Sequence, residues 1–193
     1  MKKILLTVFL SLTVLAMNAQ DDNGIYVKAG IGASTIVGSD TGLASGAVSY
    51  KVGVGYDWEV ANNFYIIPEV DFVAKGYKSE NIIGNINMSY IQIPVFAAYK
   101  YGITDNIKIG AQVGPYFAFG IFGSDIEFYG GGEYNIFDND WGYRRFDTGI
   151  IAGISVDIYD FTVGFEYSRG FVKLDPDYSQ FNQALGVTFG YKF

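Results

Sequence analysis

Residues 47–59 read AVSYKVGVGYDWE, setting Val48, Tyr50, Val52, Val54, Tyr56 and Trp58 against Ala47, Ser49, Lys51, Gly53, Gly55, Asp57 and Glu59. This is a period of two. Successive side chains of a strand point to opposite faces, whereas an amphipathic helix brings apolar residues back at three and four positions. One face is apolar and half aromatic; the other is small or charged. A strand built this way has to lie between an apolar medium and a polar one.

The same alternation recurs on both sides of this stretch. Upstream, Ile25, Val27, Ala29, Ile31 and Ala33 share a face. Downstream, apolar stripes at every second residue run from Phe64 to Ala74, Ile91 to Tyr101, Ile107 to Phe119, Phe146 to Ile158, Phe161 to Tyr167 and Phe181 to Phe193. That makes eight strands. The connections alternate in length: 36–46, 77–87, 122–145 and 171–181 are long, while 60–63, 102–106 and 159–160 are short. The pattern predicts an all-β fold, an eight-stranded antiparallel up-and-down transmembrane β-barrel with short periplasmic turns and longer extracellular loops. Both chain termini then fall on the periplasmic side.

A soluble barrel would also alternate, so the volumes of the two faces decide which one points out. The interior of an eight-stranded barrel is barely wide enough for side chains, and the apolar stripes carry too much bulk for it. The opposite face, rich in Gly, Ser, Thr and Ala with dispersed Lys, Asp and Glu, suits a narrow polar lumen. The bulky face therefore meets lipid. Tyr56, Trp58, Phe64, Tyr99, Tyr101, Phe161, Tyr191 and Phe193 fall near the periplasmic rim, and Phe72, Phe117, Phe119, Phe146 and Tyr167 toward the other. Two aromatic girdles suit the two membrane interfaces.

Met1-Lys2-Lys3, the apolar run from Ile4 to Ala16, and Ala19 have the layout of a secretory signal peptide. Residues 1–19 are expected to be removed, leaving residues 20–193 as one barrel domain that begins at Gln20. Cleavage after Ala16 is the alternative. No later apolar run reaches the ~18–20 residues of a membrane helix. The formal charge of -7 becomes -9 once Lys2 and Lys3 are removed. An acidic chain with scattered cations offers no footprint for nucleic acid.

The 193 residues include no cysteine and no histidine. Disulfides and thiolate metal sites are excluded, as are imidazole ligands and serine–histidine catalysis, which needs an imidazole base. No cofactor is expected. Pro68, Pro94 and Pro115 lie inside strand patterns, where each removes a ladder donor; bulges or strand ends are expected beside them.

The prolines also carry a resemblance. Ile67-Pro68-Glu69-Val70 with Lys75-Gly76-Tyr77, Tyr90-Ile91-Gln92-Ile93-Pro94, Gly114-Pro115-Tyr116, Phe146-Asp147-Thr148-Gly149 with Ala152-Gly153, and the run from Gly186 to Phe193 follow one another in an order that resembles the PorT-like, porin-type outer-membrane β-barrel family. Val70 and Gln92 depart mildly from its usual residues. The resemblance covers nearly all of residues 20–193 and implies a small outer-membrane barrel; some members of that family assist protein secretion.

Three places could carry function. Glu69 and Asp71 share the inward face with Lys51 and Lys75, as a carboxylate pair or a salt-bridged plug, the latter expected because unpaired charges are costly in a narrow lumen. The long connection 122–145 holds Asp125, Glu127, Phe128, Tyr129, Gly130-Gly131-Gly132, Glu133, Tyr134, Phe137, Asp138-Asn139-Asp140, Trp141 and Tyr143. Aromatics beside polar groups on a loop suit an extracellular protein or glycan ligand; Asp138-Asn139-Asp140 lacks the spacing of a calcium loop. Alternatively, Ile126, Phe128 and Tyr134 belong to a hairpin extending the flanking strands. Last, Phe189, Tyr191 and Phe193 end an outward stripe, as an assembly signal for the outer-membrane insertion machinery. These readings converge on a non-enzymatic barrel embedded in outer-membrane lipid, with extracellular loops for binding. A small porin-like channel or an accessory role in secretion are the alternatives.

Overall fold

The computed structural model describes residues 23–39, 45–78, 82–83, 85–123, 125–128, 133–137 and 144–193. In chain order its strands are β1 (Gly24–Val37), β2 (Ser45–Ala61), β3 (Phe64–Lys78), β4 (Ile82–Ile83), β5 (Asn85–Thr104), β6 (Ile107–Gly123), β7 (Asp125–Phe128), β8 (Glu133–Asn135), β9 (Phe146–Ile158), β10 (Phe161–Gly170) and β11 (Phe181–Lys192). Eight of them close a barrel in the order β1-β11-β10-β9-β6-β5-β3-β2. Every neighbouring pair is antiparallel, and β1 meets β11 from Tyr26↔Lys192 to Val37↔Phe181. Closure leaves no open edge, the condition for a sheet to cross lipid.

Asn62–Asn63, Asp105–Asn106 and Tyr159–Asp160 turn the chain at one end. Asn63 (φ 65°) and Tyr159 (φ 53°) take the left-handed conformation that two-residue hairpin turns require. The long connections all lie at the other end. There β4, β7 and β8 form a separate three-stranded sheet, with Ile82↔Phe128 and Ile126↔Tyr134 in register. The hairpin given as the alternative thus exists, but it does not extend the flanking strands, whose ladder stops at Phe119↔Phe146.

Parity is as read. Trp58, Phe117 and Phe161 are 54%, 55% and 61% exposed on the outer wall, while Glu69, Asp71, Gln92 and Asp147 are buried inside. Both expected girdles are outward.

The prolines correct one expectation. The bulges lie elsewhere, between Gly46 and Tyr50, Glu59 and Ala61, Ser89 and Tyr90, and Gly102 and Thr104. At the prolines the register runs through unshifted, but the ladder skips. Between β3 and β5 it passes from Pro68↔Val95 directly to Asp71↔Gln92, and between β5 and β6 from Pro94↔Tyr116 to Ala97↔Val113. Missing donors are thereby gathered around Val95. There a Cβ on Gly114 would lie 2.0 Å from the Val95 carbonyl oxygen, so the close approach of these two strands requires glycine.

Candidate functional site

Each barrel strand delivers every second side chain into the lumen, and three layers result. In the middle layer Lys28 pairs with Glu69 and, at 3.0 Å, with Glu166. Lys51 pairs with Glu166 and lies 3.7 Å from Asp71. The Tyr26 hydroxyl donates to Glu69, and Gln112 Nε2 donates to Glu166 at 3.3 Å. Glu69 and Asp71 are therefore the salt-bridged plug, with a lysine against each. Interleaved cations of this kind offset part of the cost of taking carboxylates out of water.

Lys75, expected beside that pair, serves a different group. Its Nζ donates to Gln92 Oε1 at 3.0 Å and lies 4.0 Å from Asp147, over the rings of Tyr116 (4.7 Å) and Tyr90 (5.7 Å). Asp147 also accepts from Tyr116 and Asn182, both at 2.9 Å. Above this group the lumen is not polar, contrary to the sequence reading. Tyr77, Ile86, Met88, Tyr90, Ile136, Phe137 and Leu174 lie there in a buried apolar cluster that also runs down the β3–β5 wall through Phe96, Ile67 and Tyr65.

Phe137 is the centre of that seal and the main correction to the reading of 122–145. It was expected on a binding surface, but it is folded back into the barrel mouth, edge-on to Tyr90 with ring centres 6.2 Å apart. Gly120 and Gly123 make the space, since a Cβ at either would meet Phe137 or Ile136 at 2.6 Å or less. Arg145 pins the segment, donating to the carbonyls of Gly120 (3.2 Å) and Phe137 (3.4 Å) with its guanidinium over the Phe137 ring. Leu174 enters from the next connection, its carbonyl accepting from Arg144 N–H at 2.7 Å. Asp138-Asn139-Asp140, Tyr129, Gly130-Gly131-Gly132, Trp141 and Tyr143 lie outside the described residues, as do residues 1–22 with both cleavage positions.

At the short-turn end the lumen stays open. A cavity of about 440 Å³ is lined by Lys28, Asp57, Glu69, Lys100, Lys108, Asp157, Glu166 and Lys192 among others, reaching the turns at Asp105 and Tyr159. Lys100 bridges Asp57 (2.6 Å) and Asp157 (3.2 Å), and Lys192 lies 3.5 Å from Asp57. On the outer wall at this end, Phe189, Tyr191 and Phe193 face outward. Tyr191 packs against Phe161 and Phe193 with ring centres 5.1 Å apart in each case, and Phe193 N–H donates to the Ile25 carbonyl.

Extending the inward parity of β5 back from Tyr90 would have found Met88 and Ile86. No periodic signal marks Ile136, Phe137 or Leu174, which stand in irregular connections.

A closed eight-stranded barrel with an apolar aromatic outer wall and a charged lumen agrees with a family match over residues 18–175. The chain belongs to the outer membrane protein beta-barrel domain family. Among solved structures it is similar to the outer membrane enzyme PagL (12% identity, 87% of this chain and 99% of that one, TM-score 0.57). It is also similar to Neisserial surface protein A, NspA (15% identity, 90% of this chain and 100% of that one, TM-score 0.53). At such identities the likeness concerns the fold. No curated protein matches the sequence. The membership places the barrel in the outer membrane; barrels of that membrane carry their short turns on the periplasmic side and their long connections outside.

Proposed function

We propose that this barrel neither conducts nor catalyses, and that its task lies at the extracellular end, where its long connections build a surface for an extracellular protein or glycan. The observation that carries the first part is the seal: Phe137, Tyr90, Met88 and Leu174 are buried together across the outer mouth of the lumen, above the ion-paired layers. A solute entering from the periplasm meets a closed end. Open channels belong to barrels of roughly sixteen strands or more. Against catalysis stands the chain's lack of histidine, together with lumen carboxylates committed to lysines. For the binding surface, connections 79–84 and 124–145 contribute to one three-stranded sheet above the barrel, and Tyr178 stands exposed in the connection 171–180.

Single-channel recording in planar bilayers tests the closed state. Wild-type protein is expected to give no steady conductance steps, and Phe137→Ala to give intermittent ones. Steady ohmic steps from the wild type would sink the proposal. For the surface, cross-linking in intact cells should capture a partner that is lost when residues 125–135 are replaced by a short glycine–serine turn; a partner retained by that variant would place binding elsewhere. The barrel is of the PorT-like kind, and residues 1–19 are a secretion signal absent from the mature protein. Intact mass of the protein extracted from membranes should begin at Gln20, and a mass retaining residues 1–19 would count against removal.

A further inference from the structure

The charges of the barrel are sorted by side and by sign. Every carboxylate on the eight barrel strands has inward parity: Asp57, Glu59, Glu69, Asp71, Asp147, Asp157 and Glu166. Only two charged residues of these strands have outward parity, Lys78 and Arg169, and both lie at the extracellular end. Arg169 continues the outward stripe Phe161, Val163, Phe165, Tyr167 of β10. It pairs across the wall with Ile150 on β9 and Gln183 on β11. Eight residues above Phe161, at ~3.3 Å per residue and a tilt of ~40°, it stands ~20 Å from the periplasmic girdle in an apolar band ~25 Å tall. An arginine at that height extends its head toward the polar boundary.

Two more cations follow farther out on the same face. Beyond Gly170 the pairing of β10 with β9 is prolonged by Phe171 N–H donating to the Thr148 carbonyl at 2.8 Å, and by Arg144 N–H donating to the Leu174 carbonyl at 2.7 Å. The backbone of exposed Arg144 is thus brought next to that of Lys173, two residues beyond the exposed Phe146 and Phe171 on their respective segments. The Arg169 guanidinium stacks over Phe181, 5.5 Å from the ring centre, and reaches Gln183 Oε1 only at 3.4 Å. That leaves most of its donors uncommitted within the apolar wall. The group spans four residues of β10 and its continuation, ~13 Å along the strand.

We infer that Arg169, Arg144 and Lys173 form an outward-facing site for a phosphorylated glycolipid of the outer leaflet, holding its headgroup phosphates while the acyl chains lie along Phe146, Tyr167 and Phe171. Guanidinium groups suit this chemistry because their forked donors match phosphate oxygens. The spread of the three cations fits a headgroup with more than one phosphate better than a single small anion. Lys78 is the internal control. It has the same sign and parity and also lies toward the extracellular end, but it stands fourteen residues beyond Phe64 at the end of β3, and that strand lies four steps from β10 either way round the barrel.

The test uses full-length processed protein refolded into vesicles of phosphatidylcholine alone, phosphatidylcholine with bis-phosphorylated lipid A, and phosphatidylcholine with the dephosphorylated lipid. Lipid retained on the protein is read by native mass spectrometry, and the thermal midpoint is followed in parallel. The wild type should retain the phosphorylated lipid and gain stability with it; the dephosphorylated lipid and free inorganic phosphate should do neither. Arg169→Gln should weaken retention by about tenfold, as expected for one lost charge-assisted hydrogen bond. Lys78→Gln should leave it unchanged. Should Arg169→Gln insert poorly, the double variant Arg144→Gln/Lys173→Gln, at positions beyond the end of β10, should show the same loss in a folded barrel. Equal retention of the dephosphorylated lipid, an equal loss with Lys78→Gln, an equal midpoint rise with inorganic phosphate, or full retention by the double variant would overturn the assignment.

Discussion

Val54→Arg is expected to destabilise the barrel in lipid by about 2–4 kcal/mol, the cost of an arginine on the lipid face near the bilayer midplane. The depth follows from the strand geometry. Val54 pairs with Val27 on β1 and Val70 on β3 and faces outward, on the stripe that ends in Tyr56 and Trp58 of the periplasmic girdle. A rise of ~3.3 Å per residue at a tilt of ~40° advances ~2.5 Å along the membrane normal. Four residues from Trp58 is therefore ~10 Å, close to the centre of a ~25 Å band. Val163, which also faces outward, sits two residues inside the first residue of β10, Phe161. That is ~5 Å from the girdle, where the charged head reaches the interface and the cost falls to about 1 kcal/mol or less. Ser49 is buried in the lumen, so Ser49→Arg should act by crowding and be relieved by Ser49→Ala. Urea titration in phosphatidylcholine vesicles, followed by the gel mobility of folded and unfolded protein, measures all three. If Val163→Arg costs as much as Val54→Arg, the depth argument fails; if Val54→Arg is as stable as wild type, the assignment of faces fails with it.

Lys75→Met should cost about 3–5 kcal/mol, because it leaves Asp147 buried without its cation, and Asp147→Asn in the same chain should recover most of the loss; no recovery in the double variant would show that Lys75 acts through packing. Phe193→Ala, if the terminal aromatics act as an assembly signal, should lower the amount inserted in cells while protein refolded in detergent keeps nearly parental stability. A stability loss large enough to account for the lower insertion would retire the signal and leave Phe193 as a girdle residue packed on Tyr191.

The outer wall was legible in the sequence because period-two alternation survives errors in strand ends: misjudging where β2 begins does not move Val54 off its face. The ion pairs were legible only as a list of inward charges. Lys75 is four residues from Asp71 and six from Glu69, yet it lies nearest Asp147, contributed by β9. Glu69 instead takes Lys28 from β1, two strands away around the barrel. Which inward charges share a level depends on strand tilt and on the register of every intervening ladder, and neither is encoded locally. The prolines show the same limit from the other side. Each removes a ladder donor whatever its surroundings, but only the assembled sheet gathers the interruptions around Val95 without shifting the register.

The seal could be built only at the extracellular end. A lumen of this width admits chain from outside only where a connection is long enough to fold back, and two-residue turns such as Asp105–Asn106 and Tyr159–Asp160 are consumed in reversing direction. The long connections have chain to spare, and two of them send Phe137 and Leu174 inward. Their burial also accounts for the division of the interior. Beneath these side chains Tyr90, Met88 and Ile86 have apolar partners, while the periplasmic half, with no loop to fill it, retains a cavity where charged groups that water can solvate face the apolar wall of Tyr65 and Ile67. Lys100, Asp57, Asp157 and Lys192 are placed there accordingly. The asymmetry of connection lengths therefore fixes more than orientation in the membrane. It decides which end of the lumen receives Phe137 and Leu174 and which end keeps the cavity.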